Sequence, residues 1–155
     1  MCRAMNGKNN KNAFTLVEIM IVVAIIALLA TVAIPGIVRS RQTAYELDSV
    51  KALKSIATAA ESYRAAQSSA TYPLSLIVLT TANPPYVTPL GGGGTTRGPY
   101  TFSLSGDGDS FNAVANAVNP YRNFCIDQRG DVYNNATQNY VASDSSDCSG
   151  VMVSQ

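Results

Sequence analysis

The sequence predicts an α+β fold in which a long N-terminal α-helix packs against a small antiparallel β-sheet. Three observations predict it. Residues 14–38 are almost entirely apolar, residues 40–68 repeat apolar side chains at helical spacing, and the chain beyond residue 100 has short strand-like runs between closely spaced turn signals. A 3.6-residue period followed by short runs with a period of two indicates a helix packed on consecutive strands.

The predicted first part of the helix, residues 14–38, contains a single charged residue, Glu18. About 25 residues at about 1.5 Å each reach roughly 37 Å, which is enough to cross the hydrocarbon core of a bilayer. The length alone indicates a plain membrane anchor. Pro35 near its end removes a helix hydrogen bond, which a membrane or a helix bundle tolerates as a kink. Glu18 costs a few kcal/mol in hydrocarbon, so we expect it to have a functional partner.

Residues 39–70 are predicted to continue as an amphipathic helix. Apolar side chains recur there at steps of three and four residues, between charged ones, which is the pattern of a helix with one apolar face. Only Pro35-Gly36 interrupts the helical pattern, so we predict one helix of about 55 residues. Its second part would pack on a domain through Leu47, Val50, Leu53, Ile56, Ala60 and Tyr63.

Residues 71–99 are predicted to form a long surface loop, with one short helical turn at 74–79. Five of the seven prolines fall in this stretch, as does the run Gly91–Gly94. Proline and glycine at this density interrupt regular structure. The glycine run is no phosphate cradle, because no Lys-Ser/Thr pair follows it.

Residues 100–155 are predicted to form an antiparallel sheet that ends in a polar C-terminal loop. The alternation in Tyr100-Thr101-Phe102-Ser103-Leu104 is typical of a half-buried strand, and turn signals separate it from three further runs. Short turns between consecutive strands produce a meander. The predicted strands are residues 100–104, 111–118, 124–127 and 132–133.

Composition excludes several functions. The chain has no histidine, which removes the Ser-His-Asp and Cys-His nucleophile schemes and most zinc geometries. A net charge of +1 provides no broad positive field for nucleic acid, so no nucleic-acid partner is expected. We find no catalytic constellation, cofactor motif or metal-ligand set, and the sequence therefore predicts a protein that is not an enzyme.

Cysteine placement indicates one disulfide. Cys2 lies in the polar N-terminal stub, whereas Cys125 and Cys148 both lie in the distal part. If the stub is removed, two cysteines remain, and a single disulfide between them fits an oxidising, extracytoplasmic compartment. Two unrelated free thiols are the alternative.

Two short patterns in the distal part have weak functional interpretations. Asp107, Asp109 and Asp127 could gather on calcium, although turn chemistry alone explains Asp-Gly-Asp. Arg129-Gly130-Asp131 matches an adhesion tripeptide, but a motif this short is expected by chance.

The N-terminal block resembles that of type IV pilins and of the pseudopilins of type II secretion. The matching residues run from Ala13 to Ala27, with the sequence AFTLVEIMIVVAIIA. Tyr72-Pro73, Gly98-Pro99-Tyr100-Thr101-Phe102 and Phe124-Cys125-Ile126-Asp127 with Gly130 look more loosely like loop and sheet segments of the same family. The resemblance thus spans the chain and is tightest over the first third.

This resemblance implies a processing step and an assembly step. A prepilin peptidase would remove residues 1–13 as a leader by cutting between Ala13 and Phe14, and would methylate the new amine of Phe14. The family usually has glycine where Ala13 stands. Glu18 would become the fifth residue of the mature chain, where the family keeps a glutamate that pairs with the N-terminal amine of a neighbouring subunit. Pro35 falls where the family often has a proline, near a stretch that can lose helicity in the filament.

The function implied is that of a structural subunit of a type IV pilus, a surface filament for adhesion, motility or DNA uptake. A Cys125–Cys148 disulfide favours a pilin, because pilins commonly close their C-terminal loop in this way. A pseudopilin of a type II secretion system is the alternative. A single-span anchored extracytoplasmic binding domain that never assembles is another.

The same resemblance implies where the protein resides and what it meets. The basic residues Arg3, Lys8 and Lys11 precede the apolar span, which predicts a cytoplasmic leader and a single-pass precursor in a bacterial inner membrane. The mature chain would then enter an extracellular or periplasmic filament. The expected partners are the prepilin peptidase, the inner-membrane assembly machinery, and identical or related pilin subunits.

Overall fold

The computed structural model describes residues 14–88, 95–118, 120–135 and 148, together with the backbone of residues 151–152. The predicted leader, the Gly91–Gly94 run and most of the predicted C-terminal loop lie outside the described residues. The chain divides into two compact units, Met1–Ser40 and Arg41–Gln155.

A single helix, α1, runs from Leu16 to Ala66 and contains Pro35 within it. The prediction of one long helix is confirmed, although α1 begins two residues after Phe14. In the part up to residue 40, every large apolar side chain is exposed. The most apolar window of α1 has a mean hydropathy of 2.9, with none of it buried, and is long enough to cross a membrane. This part of α1 therefore presents apolar side chains on all sides.

The part of α1 that belongs to the second unit has one buried face. Small side chains dominate that face, which lets the helix backbone approach the sheet closely. Leu47 was predicted to lie on this face but is 57% exposed. The buried residues are Ser49, Ala52, Leu53, Ile56, Ala57, Ala59 and Ala60.

The C-terminal end of α1 is held by a polar cluster around Tyr72. The Tyr72 hydroxyl donates to Glu61 Oε1 at 2.7 Å and accepts from Arg64 Nη1 at 3.0 Å. Arg64 Nε also donates to the Ala70 carbonyl at 2.9 Å. Burial, followed by the neighbouring Glu61 carboxylate, raises the pKa of Tyr72. The helix was predicted to continue to about residue 68, but these contacts turn the chain back just beyond Ala66.

The predicted loop of residues 71–99 contains more regular structure than expected. Helix α2 spans Leu76–Thr81, two residues later than the predicted turn, and it buries Leu76 and Leu79. A two-residue strand, β1, spans Thr96–Arg97. A short helix is therefore present where a helical turn was predicted, with a shift of two residues, whereas strand β1 was not predicted. α2 is explained by the burial of its two leucines, and β1 by pairing with the next strand.

The sheet is antiparallel throughout, and its six strands lie in sequence order. The predicted antiparallel meander is thereby confirmed. It has strands at both edges that the sequence did not indicate, because two-residue strands carry no periodic pattern. The strands after β1 are β2 (Tyr100–Gly106), β3 (Phe111–Ala117), β4 (Asn123–Asp127), β5 (Val132–Asn135) and β6 (Val151–Met152).

The two faces of the sheet have different partners. Alternate residues of β2, β3 and β4 join α1 and α2 in the main apolar core, which includes Phe102, Phe111 and Ile126. On the opposite face, Val114 and Cys125 pack with Cys148. Val118 was predicted to end the second strand, but it lies outside β3 and is 82% exposed.

Gly106 brings the segment before α2 against the end of β2. A Cβ atom at this position would lie 2.5 Å from the Pro73 carbonyl oxygen, so only glycine fits. Tyr72 N–H donates to the Gly108 carbonyl at 2.9 Å, and Ser75 bridges Ser105. The turn of residues 106–110 therefore lies beside the chain leading into α2.

Candidate functional site

The start of α1 has a defined cap. Thr15 Oγ1 accepts the backbone N–H of Glu18 at 3.2 Å, and the Thr15 carbonyl accepts the same N–H at 3.1 Å. A hydroxyl residue three positions before a glutamate is the sequence pattern of a capping box. Thr15 therefore caps the first turn of α1, and Glu18 stands on that turn, where a helix dipole favours a negative charge.

Glu18 is the one carboxylate on an otherwise apolar surface. Its neighbours Val17, Ile19 and Met20 are all more than half exposed. Among the described residues, no cation lies within ion-pair distance of the Glu18 carboxylate. In a hydrocarbon environment this residue therefore needs a partner that the described part of the chain does not supply.

Of the two residues that flank the predicted cleavage bond, the structure describes one, Phe14. Phe14 is the first described residue, and its side chain is 77% exposed just before the helix begins. Ala13 and the bond to be cut lie outside the described residues. Phe14 and Thr15 are not helical, so the peptide on the Phe14 side of that bond is not held in a helical hydrogen-bond ladder.

Pro35 lies within α1 and not at its end. The helix is assigned continuously through it, although proline has no N–H to donate to the carbonyl four residues earlier. Beyond its chain neighbours and the adjacent turns of helix backbone, the following Gly36 has no atom within 4 Å of the position of a Cβ. Pro35 therefore leaves one helical hydrogen bond of α1 unmade.

Cys125 and Cys148 form a disulfide in the structure, with their Cα atoms 5.8 Å apart. Both cysteines are buried, on the sheet face opposite α1. The bond connects β4, the strand flanked by β3 and β5, to a residue that lies 23 positions later in the chain. Cys148 is thereby held at the middle of the sheet.

Asp127, which the sequence offered only as a weak candidate for calcium, is fully buried at the end of β4. Its Oδ2 accepts Arg129 Nε at 3.0 Å and Nη2 at 2.8 Å, and its Oδ1 accepts the Arg129 backbone N–H at 3.0 Å. A buried carboxylate needs such partners. The signal that could have found it is an acid at the end of an apolar strand, two residues before an arginine.

Local hydrogen bonds involve residues of both the possible calcium cluster and the Arg-Gly-Asp tripeptide. Arg129 of the Arg-Gly-Asp tripeptide is bound to Asp127 and belongs to the sheet end. Asp107 accepts hydrogen bonds from Asp109 N–H and from the backbone and side chain of Ser110, and the Ser110 bonds lower its pKa. Within the described ranges, no three potential metal-ligating side chains gather in one place. Asp107 and Asp127 are thus used in local structure.

Comparison with known proteins identifies the N-terminal segment. Residues 8–34 match the family described as the prokaryotic N-terminal methylation motif. No curated protein matched the chain. No solved structure matched it either. The match covers Ala13, Phe14, Glu18 and most of the apolar run of α1.

The chain therefore carries a prepilin-type N-terminal segment, the kind found in type IV pilins and pseudopilins. Together with the helix and the antiparallel sheet, this segment supports a pilin-like or pseudopilin protein. The motif is found in structural proteins and implies processing by a prepilin peptidase. The apolar part of α1 fits a precursor anchored in an inner membrane.

Proposed function

We propose that this protein is a structural subunit of a type IV pilus. The observation that carries the proposal is Glu18, a lone acid on an exposed apolar helix that lies within the matched prepilin-type segment. The proposed peptidase cut before Phe14 creates a new amine four residues from Glu18. That amine is the positive charge that a neighbouring subunit would offer to Glu18.

The exposed apolar part of α1 supports assembly through helix packing. The precursor holds this part in the membrane, where lipid covers its side chains. In a filament, the same side chains would pack against those of neighbouring copies, and the filament core would contain neither water nor lipid. Apolar side chains pack about equally well against lipid and against neighbouring helices. The Glu18 ion pair is therefore the interaction that favours the filament over the membrane.

Pairing of Glu18 would also select the register of the filament. Removing one partner of a buried ion pair typically costs about 3–5 kcal/mol, because the other charge stays buried and unpaired. A subunit displaced along the axis would leave both charges unpaired. A single buried polar residue selects register in coiled coils by the same penalty.

The disulfide favours a pilus over a secretion pseudopilus. The Cys125–Cys148 bond joins β4 to Cys148, and the pilins that this chain resembles commonly close their C-terminal loop with such a bond, whereas pseudopilins commonly lack it. A pseudopilin would use the same processing and the same helix packing. It would differ in the filament produced and in the transport of secreted proteins.

The deciding experiment examines filaments sheared from cells. Mass spectrometry of the purified protein should find Phe14 as the first residue, carrying one N-methyl group. The filaments should contain this protein and disappear from cells lacking its gene. An intact Met1 or a cut at another bond would favour a plain membrane anchor. Correct processing with loss of protein secretion and without surface filaments would favour the pseudopilin.

A further inference from the structure

We infer that, in the membrane-anchored precursor, the loop between β3 and β4 rests on the lipid surface, with Val118 entering it and nearby arginines facing anionic headgroups. The described residues of this loop are Val118, Pro120, Tyr121 and Arg122. The inference concerns the precursor before assembly and so goes beyond the proposed filament. It requires only that the apolar part of α1 spans a membrane, for which its length and hydropathy suffice.

The β3–β4 loop is held against the start of the helix portion that belongs to the second unit. Gln42 Nε2 donates to the Pro120 carbonyl at 2.6 Å. The rings of Tyr45 and Tyr121 meet edge to face, with their centroids 6.1 Å apart. Within the loop, Tyr121 N–H donates to the Val118 carbonyl at 3.4 Å. The loop is therefore ordered, and it lies beside the first residues of this helix portion.

The length of the chain keeps these first residues near the membrane. Gln42 is the fourth residue after Val38, the last residue of the apolar run. A polypeptide extends by at most about 3.6 Å per residue, so Gln42 lies within about 14 Å of the end of the span. The β3–β4 loop, which is bonded to Gln42, is tethered to the membrane surface in the same way.

The other end of the sheet lies much further along α1. There the turn of residues 106–110 follows β2, and Tyr72 N–H donates to the Gly108 carbonyl at 2.9 Å. The Tyr72 hydroxyl donates to Glu61, which lies about 28 Å beyond Gln42 at about 1.5 Å per helical residue. The β3–β4 loop is thus the end of the sheet that is closer along the helix to the membrane span.

The side chains of the loop suit a lipid surface. Val118 is 82% exposed, more than any other large apolar side chain in the described part of the second unit. Beside the loop, Tyr45 is 43% exposed. Tyrosine is enriched at membrane–water interfaces because its ring is apolar and its hydroxyl is polar. An apolar side chain tethered at such a surface gains burial by entering the lipid.

The charges at this end of the unit favour anionic lipid. Arg41 and Arg122 are exposed, and among the described residues neither forms an ion pair. The neighbouring carboxylate of Glu46 accepts the Arg122 backbone N–H at 3.4 Å. Asp48 is already paired with Arg97 at 2.9 Å. The two arginines therefore exceed the one remaining acid, and basic residues at a membrane surface attract anionic headgroups.

Fluorescence quenching by brominated lipids tests the contact in the full-length precursor. In a C2S background, Val118→Cys supplies the one free thiol, because Cys125 and Cys148 are bonded to each other. The thiol is labelled with NBD, and the protein is reconstituted into phosphatidylcholine–phosphatidylglycerol vesicles with or without bromine on the acyl chains. The label should lose roughly half of its fluorescence in brominated vesicles, because a side chain that enters the membrane surface reaches the acyl chains.

The matched control is Ile77→Cys in the same background. Ile77 is also β-branched and is 63% exposed. Ser75, just before it, bridges Ser105 near the turn of residues 106–110, at the end of the sheet away from the β3–β4 loop. A label at position 77 should keep its fluorescence in brominated vesicles.

The outcomes separate the inference from the proposed function. Equal quenching at positions 118 and 77, or none at either, would overturn the lipid contact and leave the proposed pilus function standing. A chain that sodium carbonate extracts from the vesicles would show that the apolar part of α1 is not inserted, and the inference would fail with that premise. Quenching at 118 in a chain that never enters filaments would support the contact and count against the pilus.

A second pair of variants tests the headgroup contact. R41Q/R122Q, introduced into the labelled V118C chain, should reduce the quenching about twofold, because fewer cations hold the loop on anionic lipid. K51Q/K54Q removes the same charge further along α1 and should leave the quenching unchanged. Quenching of R41Q/R122Q equal to that of the parent would exclude the arginines from the contact.

Discussion

At the scale of single residues, Tyr100 shows how burial sets a pKa. Its side chain is 1% exposed, and its hydroxyl donates to the Arg122 carbonyl at 2.9 Å. Its ring lies 6.1 Å from the rings of both Tyr121 and Phe124. Burial is the main cause that raises the pKa of Tyr100 to about 12, because the charged phenolate cannot be solvated there.

The raised pKa predicts alkaline destabilisation. The folded protein holds the Tyr100 proton more tightly than the unfolded chain, so this contribution to stability is complete below pH 10 and is lost as the pH rises towards about 12. A shift of this size corresponds to a loss of at most a few kcal/mol, roughly 1.4 kcal/mol for each pKa unit, in the free energy of unfolding. Thermal unfolding of the purified full-length protein in detergent, followed from pH 8 to 11.5, should reveal it.

Tyr100→Phe provides the control for that measurement. The variant should be less stable by about 1 kcal/mol at neutral pH, because the Arg122 carbonyl loses its donor. It should also lose less stability than the unsubstituted protein between pH 10 and 11.5, since phenylalanine does not titrate. Parallel pH profiles of the two proteins would show that another group causes the alkaline transition.

At the residue scale, a side chain can be singled out from the sequence where its chemistry contrasts with that of its neighbours. Glu18 stands out in the sequence because no other charge interrupts residues 14–38. Asp127 was noted only as a weak calcium candidate, and its role at the end of the sheet was not predicted, because an acid at the end of a strand looks like part of a turn. Its burial and its bond to Arg129 depend on how the sheet end packs, which no local pattern describes.

At the scale of elements, the disulfide stabilises the C-terminal segment. It joins Cys125 in β4 to Cys148, and both lie in the smaller core with Val114. Closing a loop of this length contributes about 3 kcal/mol in the chain-entropy description. The edge strand β6 follows shortly after Cys148 and pairs with β5, so the bond holds that strand near its partner.

Replacing both cysteines should therefore destabilise the domain. We expect C125S/C148S to lower the free energy of unfolding by about 2–5 kcal/mol, and to increase hydrogen exchange first in β5 and β6. Urea unfolding and native-state hydrogen exchange measure the two effects. C2S is the matched control and should unfold like the parent, since Cys2 lies in the predicted leader. Equal stability of the double variant and the parent would contradict the stabilising role of the bond.

Long helices and strands could be recognised from the sequence, whereas short ones could not. The long helix α1 and strand β2 were recognisable because a repeated period reports which side is buried. The two-residue strands β1 and β6 contain too few residues for any period. Helix α2 is short as well, and its position is decided by Leu76 and Leu79 packing into the core.

At the scale of the whole molecule, the proposed assembly depends on Glu18. We predict that Glu18→Ala lowers the yield of filaments by about a hundredfold or more, because the amine of Phe14 would remain buried and unpaired. The folded domain should be unaffected, since its core lies in residues 41–155. The amount of this protein in sheared and pelleted filaments provides the measurement.

Thr31→Ala is the matched control for Glu18→Ala. Thr31 lies in the same exposed apolar part of α1, and its hydroxyl bonds only within the helix, to the Leu28 carbonyl. This variant should assemble normally. Both variants should accumulate equally in the membrane and retain the Cys125–Cys148 disulfide. Normal filaments of the Glu18 variant would exclude the ion pair as the basis of assembly.

The sequence by itself determined the long helix, the antiparallel meander and the position of the lone acid within a prepilin-type N-terminal segment. These features are local, because a period, a turn signal or a charge contrast is visible within a few residues. Only the tertiary structure decided that Leu47 is exposed, that Asp127 is buried, and that the β3–β4 loop lies against Gln42 and Tyr45. These features depend on how α1, α2 and the sheet share a limited core, and residues far apart in the sequence jointly determine that packing.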